Sequence, residues 1–411
     1  MSNYNLTTAS GVFKTKYVRM TRDMFNSENV ILAKIKRNDA FVGEFARISV
    51  PTSFGGGRGS GSLPRPNVAS YQRMDIYAKK QYVVIEIDNE AIEASGTDEG
   101  AFVRLSKEPV KRGVQAFQGN MSRQLFNDSI TSNGNGRLGT FSGNQSLASP
   151  GVYNVTVETT TWKQANFETK DFVNVNTNSA EFEITAVTPS TRVVQLTQRQ
   201  GAAFDLANIG AGTHSVYMQN SKDNDCTGLR GVLLATSGSL YGINVGYRWQ
   251  SPYQDTSVGV GLTSDYLNKG NLQIKYNFGE APDMLVTSFV QYRKLLNQLE
   301  DQKRYMIVES RNSGPKGKFS FQALEFMSDT GPIPVVAERF VEDDTFYFLN
   351  SDFIEMHARP NAGWQETPDA TGGSIFQRSQ TSDAWQARYC TYPEFGIVPT
   401  AHGIITGLTT T

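Results

Sequence analysis

Residues 41–88 read FVGEFARISVPTSFGGGRGSGSLPRPNVASYQRMDIYAKKQYVVIEID, and their alternation decides how the rest of the chain is organised. On the way out Ala46, Ile48 and Val50 alternate with Arg47 and Ser49. On the way back Met74, Ile76 and Ala78 alternate with Arg73, Asp75 and Tyr77, and then Val83, Ile85 and Ile87 with Tyr82, Val84 and Glu86. A period of two predicts strands. Between them Phe54 opens a run of glycines around Arg58, followed by Pro64-Arg65-Pro66, a tip too rich in glycine to hold one shape alone. Residues 46–82 carry six Lys/Arg and one Asp. The stretch predicts one very long cationic β-hairpin over 41–88, with little core of its own and a need for a partner surface.

Upstream, residues 1–40 form a polar, basic arm bearing Lys14, Lys16, Arg19, Arg22, Lys34, Lys36 and Arg37 against Asp23 and Glu28. It reads either as a solvated terminus or as an arm facing a polyanion or a neighbouring molecule. Downstream, Ser106 and Pro109 can start a helix over about 108–128, with a bent extension from about 98. Val110, Val114, Phe117, Met121 and Leu125 give it one apolar stripe. Gly113 and Gly119 weaken it intrinsically, so packing or a close neighbouring backbone must hold it. Residues 152–198 then show four short alternating strands at about ten-residue spacing, which predicts a small β-barrel or inserted β-subdomain. The glycine-rich stretch 201–212 is expected to close it. From about 220 the pattern is α+β: a strand at 283–287, a helix capped by Ser288 with Phe289, Tyr292, Leu295, Leu296 and Leu299 on one face, then strands. Those strands fall at 305–308, 319–321, 333–337, 345–349, 353–357, 384–391 and 402–406.

Composition fits that reading. The chain has 411 residues, with 37 Gly, 24 Phe and 17 Tyr, and a net charge of −1. Strands and turns suit this mixture better than a helical bundle. No global charge recruits nucleic acid or a membrane. The two cysteines, Cys226 and Cys390, form no CxxC pair; reduced thiols are the simpler expectation, with a single bridge as the alternative. No secretory leader and no membrane span is read from the sequence.

Signatures of chemistry are missing. His214, His357 and His402 sit in no HExxH and in no zinc spacing with a cysteine. The glycine run lacks the Gly-Lys-Ser/Thr ending of a phosphate loop, and no GxSxG elbow occurs. No cofactor or metal is expected, and no enzyme. Glu338, Glu342, Asp343, Asp344, Asp352 and Glu355 cluster, with Arg339 as the one opposing charge. A solvated turn or an acidic docking patch for a basic loop explains them more plainly than acid–base chemistry.

The order of these parts resembles the major capsid proteins of tailed bacteriophages, the Hong Kong 97-type coat fold. Local signatures sit mainly in the last half. Gly228-Leu229-Arg230-Gly231-Val232-Leu233 and Leu240-Tyr241-Gly242-Ile243 look like the turn-and-strand passage entering that family's axial domain. Met284-Leu285-Val286-Thr287-Ser288 is similar to its central strand–helix unit. Gly331-Pro332-Ile333-Pro334-Val335-Val336 and Thr345-Phe346-Tyr347-Phe348-Leu349 are similar to its later strands, and Tyr389 to Pro399 with His402 to Leu408 to its late strand pair.

The resemblance implies an N-terminal arm (1–40), an extended loop (41–88), and a P-domain (89–219) with a spine helix (about 98–128) and a β-rich insertion (152–198). An axial domain (220–411) follows, some late strands returning to the P-domain. It implies a virion shell protein, assembled in the host bacterial cytoplasm as hexamers and pentamers of an icosahedral lattice. That shell would enclose double-stranded DNA bound without sequence preference, alongside portal, scaffold and decoration proteins. No long charged helix precedes the arm, so a separate scaffold, or none, is implied. Phe54, Arg58, Arg65, Arg73, Lys79 and Lys80 become candidate subunit contacts of the extended loop. Glu338, Glu342, Asp343 and Asp344 become the docking patch. Lys14, Lys16, Arg104, Lys107, Lys111, Arg112 and Arg123 become candidate DNA-facing charges, whose contacts would be salt-sensitive. One branch of the family links neighbours by a Lys–Asn isopeptide bond. Lys79 or Lys80 could serve as the lysine, and no motif identifies the matching asparagine and carboxylate, so cross-linking is not expected.

Two other readings stay open. A virion adhesin or carbohydrate-binding β-protein would use the strand-rich middle and Trp162, but leaves the spine helix unexplained. An encapsulin-like compartment would share the fold and enclose a cargo enzyme.

Overall fold

The computed structural model describes residues 30–38, 45–53, 70–89, 113, 115–128, 136–176, 178–246, 248–301, 324–329, 331–358, 363–364, 376–379 and 382–410. They divide into two units, one drawn from Met1–Ile48, Asp75–Leu125 and Glu355–Gly396, the other from Ser49–Met74, Phe126–Ile354 and Ile397–Thr411.

In the first unit, strand Gln81–Asp88 turns Ile85 and Ile87 inward and leaves Tyr82, Val84 and Glu86 outside. It does not continue the hairpin, as the sequence predicted. It pairs antiparallel with Ala384–Thr391 along its whole length, from Gln81 opposite Thr391 to Asp88 opposite Ala384. The three residues Ala78–Lys80 break the returning strand, and the Lys79 N–H donates to the Pro393 carbonyl at 3.0 Å. Residues 115–125 are helical and place Phe117, Met121 and Leu125 in the core. The Phe117 ring meets Tyr389 edge-on at 5.5 Å, and the Gln81 and Gln124 amides exchange hydrogen bonds of 3.1 and 3.3 Å. A Cβ on Gly113 would stand 3.1 Å from Ile85, so the glycine lets the helix start close on the strand. The helix ends at 125, three residues earlier than expected. Val110, Val114 and the extension from 98 lie outside the described residues. The end of the expected arm is built into this unit. Ile31, Leu32 and Ile35 are buried, and Lys36–Asn38 pairs in parallel with Ile354–Ala358.

The second unit holds two larger sheets. Seven antiparallel strands run in the order Arg137–Ser142, Thr213–Met218, Phe172–Val175, Glu181–Thr188, Val193–Gln200, Val152–Thr156, Ser146–Ser149. The first and last of these are adjacent in sequence, separated only by residues 143–145. A flat sheet would hold them about 29 Å apart. Four Cα steps reach about 15 Å at most. The sheet is therefore rolled, around a core that includes Phe141, Val155, Val173, Phe182, Ile184 and Leu196. The 201–212 stretch closes its seam: the Gln145 N–H donates to the Leu206 carbonyl and the Gly143 N–H to the Gly212 carbonyl, both at 2.9 Å. The barrel is thus larger than the predicted 152–198. Its first strand hid behind Gly139, where a Cβ would meet Val157 at 2.8 Å.

The other sheet has six strands, ordered Tyr253–Asp255, Gly403–Ile405, Phe346–Leu349, Met284–Thr287, Gly331–Ala337, Leu324–Ser328. Phe346, Phe348, Leu285, Ile333 and Val335 share one core with Leu267 and Ile274 of helix Ser264–Phe278 and Leu295 of helix Phe289–Asp301. The first of these helices was missed in the sequence because its face is sparse. A Cβ on its Gly270 would stand 2.6 Å from the Phe348 ring, and Gly279, at φ 99°, ends it. In the second, the Ser288 hydroxyl accepts from the Gln291 N–H at 3.4 Å, the cap expected. Its buried row differs from the predicted stripe. Gln291 and Leu295 face in, whereas Phe289 and Leu296 are exposed. Gln291 is held inside by carbonyls, donating to Asp343 and Thr409 at 2.8 Å each. Leu229–Leu234, expected as turn and strand, is a short helix. The predicted strands at 305–308 and 319–321 lie outside the described residues. Both cysteines are buried and unbridged.

Candidate functional site

Strands Phe45–Ser53 and Ser70–Tyr77 pair only with each other, a two-stranded ribbon among the described residues. Its base is anchored by Met74 and Ile76, both fully buried, with Ile76 seated over Gly396. Farther out the ribbon is uncovered. Arg47, Ile48 and Ser49 are consecutive and exposed on one strand, and Tyr71, Gln72 and Arg73 on the other. Successive strand residues point to opposite faces, so both faces are open. Tyr71 is 67% exposed and Tyr77 53%. One cross-strand link is strong: the Arg47 Nε donates to Asp75 at 2.7 Å. A lone two-stranded ribbon is marginal in water, and a covering surface would stabilise it.

Of the expected loop contacts, Arg73 and Lys80 are exposed and Lys79 is half-buried. The two lysines sit in the break after the ribbon rather than on a returning strand. Phe54, Arg58 and Arg65 lie outside the described residues, as do Lys14, Lys16, Arg104, Lys107, Lys111 and Arg112. Arg123 is buried, so it is not an outward-facing charge in the subunit.

Of the expected docking patch, Glu338 and Glu342 are turned inward, whereas Asp343 and Asp344 are half-buried. Glu342 is buried, with Lys163 Nζ 2.6 Å and Arg230 Nη1 3.2 Å from its Oε1. The Tyr347 hydroxyl donates to its other oxygen at 3.5 Å. Lys163 also donates to the Phe126 carbonyl at 3.4 Å, and Arg137 pairs with Asp128 beside them. Burial pushes the Glu342 carboxyl up, but Arg230 and Lys163 outweigh it and hold it below its ordinary range. Burial raises Asp128 and draws Lys163 down. Glu338 is buried too and accepts from the Arg339 N–H at 3.0 Å; burial raises it. Asp344 accepts from the Thr345 hydroxyl at 2.9 Å and the Gly407 N–H at 3.3 Å. Of the four, Asp343 lines a cleft. Lys163, Arg230 and Asp128 carried no signal in the sequence, since Lys163 and Glu342 meet only through the fold.

His402 is fully buried, its Nδ1 accepting from the Asn350 N–H at 3.1 Å, and burial takes its pKa down to about 4. Among the described residues no group of His, Cys, Asp and Glu is placed to hold a metal ion, and no helix is long and apolar enough to cross a membrane.

No protein-family model matches the chain, and no curated protein matches it. Solved structures do. The chain is similar to the capsid asymmetric unit of cyanophage A-1(L), at 10% identity and a TM-score of 0.49, over 92% of this chain and 90% of that one. It is similar to the capsid of the native GTA particle, at 8% identity and a TM-score of 0.44, over 92% and 90%. It is also similar to the holo-SrpI encapsulin of Synechococcus elongatus PCC 7942, at 6% identity and a TM-score of 0.43, over 92% and 86%.

Proposed function

We propose that this chain is the major capsid subunit of a tailed double-stranded DNA bacteriophage. Copies assemble as pentamers and hexamers of an icosahedral shell in the host cytoplasm and remain in the virion. The observation that carries this reading is the Phe45–Tyr77 ribbon, open on both faces beyond its anchored base. A subunit that acts alone has no use for such a ribbon, whereas one that lies across a neighbour buries it on assembly. The order of parts supports the same reading: basic segment, ribbon, helix on a strand pair, rolled sheet, then a mixed sheet with two helices on one face. The buried cluster around Glu342 serves this function as a joint, tying the rolled sheet to the six-stranded sheet. Packaged DNA would meet the basic N-terminal segment without sequence preference, with portal, scaffold and decoration proteins as further partners.

Negative-stain electron microscopy beside light scattering of the same fraction tests this. Closed shells, or rings of five and six, are expected. A monomer at all concentrations, alone and with the neighbouring genes co-expressed, overturns it.

A further inference from the structure

A cleft of about 640 Å³ opens where the rolled sheet meets the six-stranded sheet, within the size span of small-ligand sites. Part of its lining is aromatic. Trp162 stacks on Phe167 with ring centroids 5.4 Å apart and planes 10° from parallel, which fixes the indole as a platform. Phe289, 61% exposed at the start of its helix, lines the cleft as well. Its rim is polar and mixed, with Gln164, Thr169, Glu168, Arg339 and Asp343.

The charge balance narrows what fits. Arg339 and Glu168 face each other at 3.6 Å, both more than half exposed, and each answers the other. Lys163 also lines the cleft, but its ammonium is spent on Glu342 at 2.6 Å. Asp343 is half-buried beside Asp344 and Glu342, and burial raises its pKa first, then those two charges. Each cation of the lining is answered, so an anionic ligand finds no free partner there, and the Asp343 carboxylate is left to accept hydrogen bonds. A purely apolar ligand would strip water from the rim without replacing its hydrogen bonds. A ligand with one apolar face and a circumference of groups that both donate and accept suits all of it.

We propose that this cleft binds a neutral saccharide. One face of a pyranose ring lies on Trp162, and its hydroxyls meet Gln164, Thr169, Glu168 and Arg339. Another cavity of similar size, about 690 Å³ beside Gln145 and Arg192, has no aromatic wall. Its Gln145 amide is spent on the Ser142 and Gly143 carbonyls, at 3.0 and 2.9 Å. The proposal goes beyond assembly and stands apart from it.

The test is titration of the full-length protein with neutral malto-, cello-, chito- and galacto-oligosaccharides, read by saturation-transfer NMR and tryptophan fluorescence. At least one series is expected to saturate. Trp162→Ala should weaken it at least ten-fold, Trp162→Phe should weaken it less, and Arg339→Gln should weaken it several-fold. Arg339 is exposed, so that variant keeps the fold and remains informative if Trp162→Ala does not. No saturable binding by any series overturns the proposal. So does unchanged affinity in Arg339→Gln, or preference for a charged oligosaccharide over all neutral ones.

Discussion

Glu342→Leu tests the joint of the second unit. The wild-type carboxylate answers the buried Lys163 at 2.6 Å and the partly exposed Arg230 at 3.2 Å through one oxygen, and accepts from Tyr347 through the other. Removing it leaves Lys163 buried without its carboxylate, and deprives the partly exposed Arg230 of its nearest one. Breaking one buried pair costs about 3–5 kcal/mol. Lys163 is the cation left fully buried, so Glu342→Leu is placed within that range. Lys163→Met is milder, because Glu342 keeps Arg230 and Tyr347; about 1–3 kcal/mol is expected, the cost of an under-satisfied buried group. The double variant should cost less than the sum of the two, with a coupling of about 0.5–3 kcal/mol. Urea unfolding of unassembled subunits at neutral pH, followed by tryptophan fluorescence, gives the midpoints. Hydrogen exchange over 137–218 reports whether the rolled sheet loosens first. The sign of the pH dependence is fixed as well. Glu342 is held below its ordinary value of 4.5, so its contribution is whole above that pH and is lost as pH falls through the lowered value. Wild type and Glu342→Gln should therefore converge in acid. A loss under about 1 kcal/mol for Glu342→Leu, or strict additivity of the pair, would refute the joint.

Other expectations follow from single contacts. Gly270→Ala puts a Cβ 2.6 Å from the Phe348 ring, so it should cost about 1–3 kcal/mol despite the better helix propensity of alanine; a stabilised variant would contradict that packing. His402 falls from 6.5 to about 4 on burial, so the unfolded chain binds the extra proton between those values. Stability should drop by about 2 kcal/mol from neutral to pH 5, and His402→Gln should flatten that slope; parallel slopes would sink the assignment. Deleting residues 55–63 should block assembly and leave the circular dichroism of the subunit unchanged. Normal shells from that variant would show the tip to be dispensable.

The ribbon was legible in the sequence because strand alternation is local, and its cross-strand Arg47–Asp75 pair follows from the same register. Where it stops was not legible. Val83, Ile85 and Ile87 alternate as well as Met74 and Ile76 do, and nothing local says that their partner is Ala384–Thr391, about 300 residues away. The missed and misdrawn elements share one cause. Gly113, Gly139 and Gly270 are chosen for the neighbour they admit, and propensity scores them only as weak helix or strand formers. Gln291 occupies a buried row that apolar spacing reserves for leucine, because two carbonyls meet it there. The acidic stretch showed the limit most clearly. Its composition reads as surface, and only the fold brings Lys163 and Arg230 to Glu342.

The most direct test of the account is a cryo-electron-microscopy reconstruction of the assembled protein, read at the ribbon. It predicts a second copy within contact distance of Ile48 and Tyr71, covering both ribbon faces. A shell in which those residues stay in solvent on both faces, or a protein that never assembles, would contradict it.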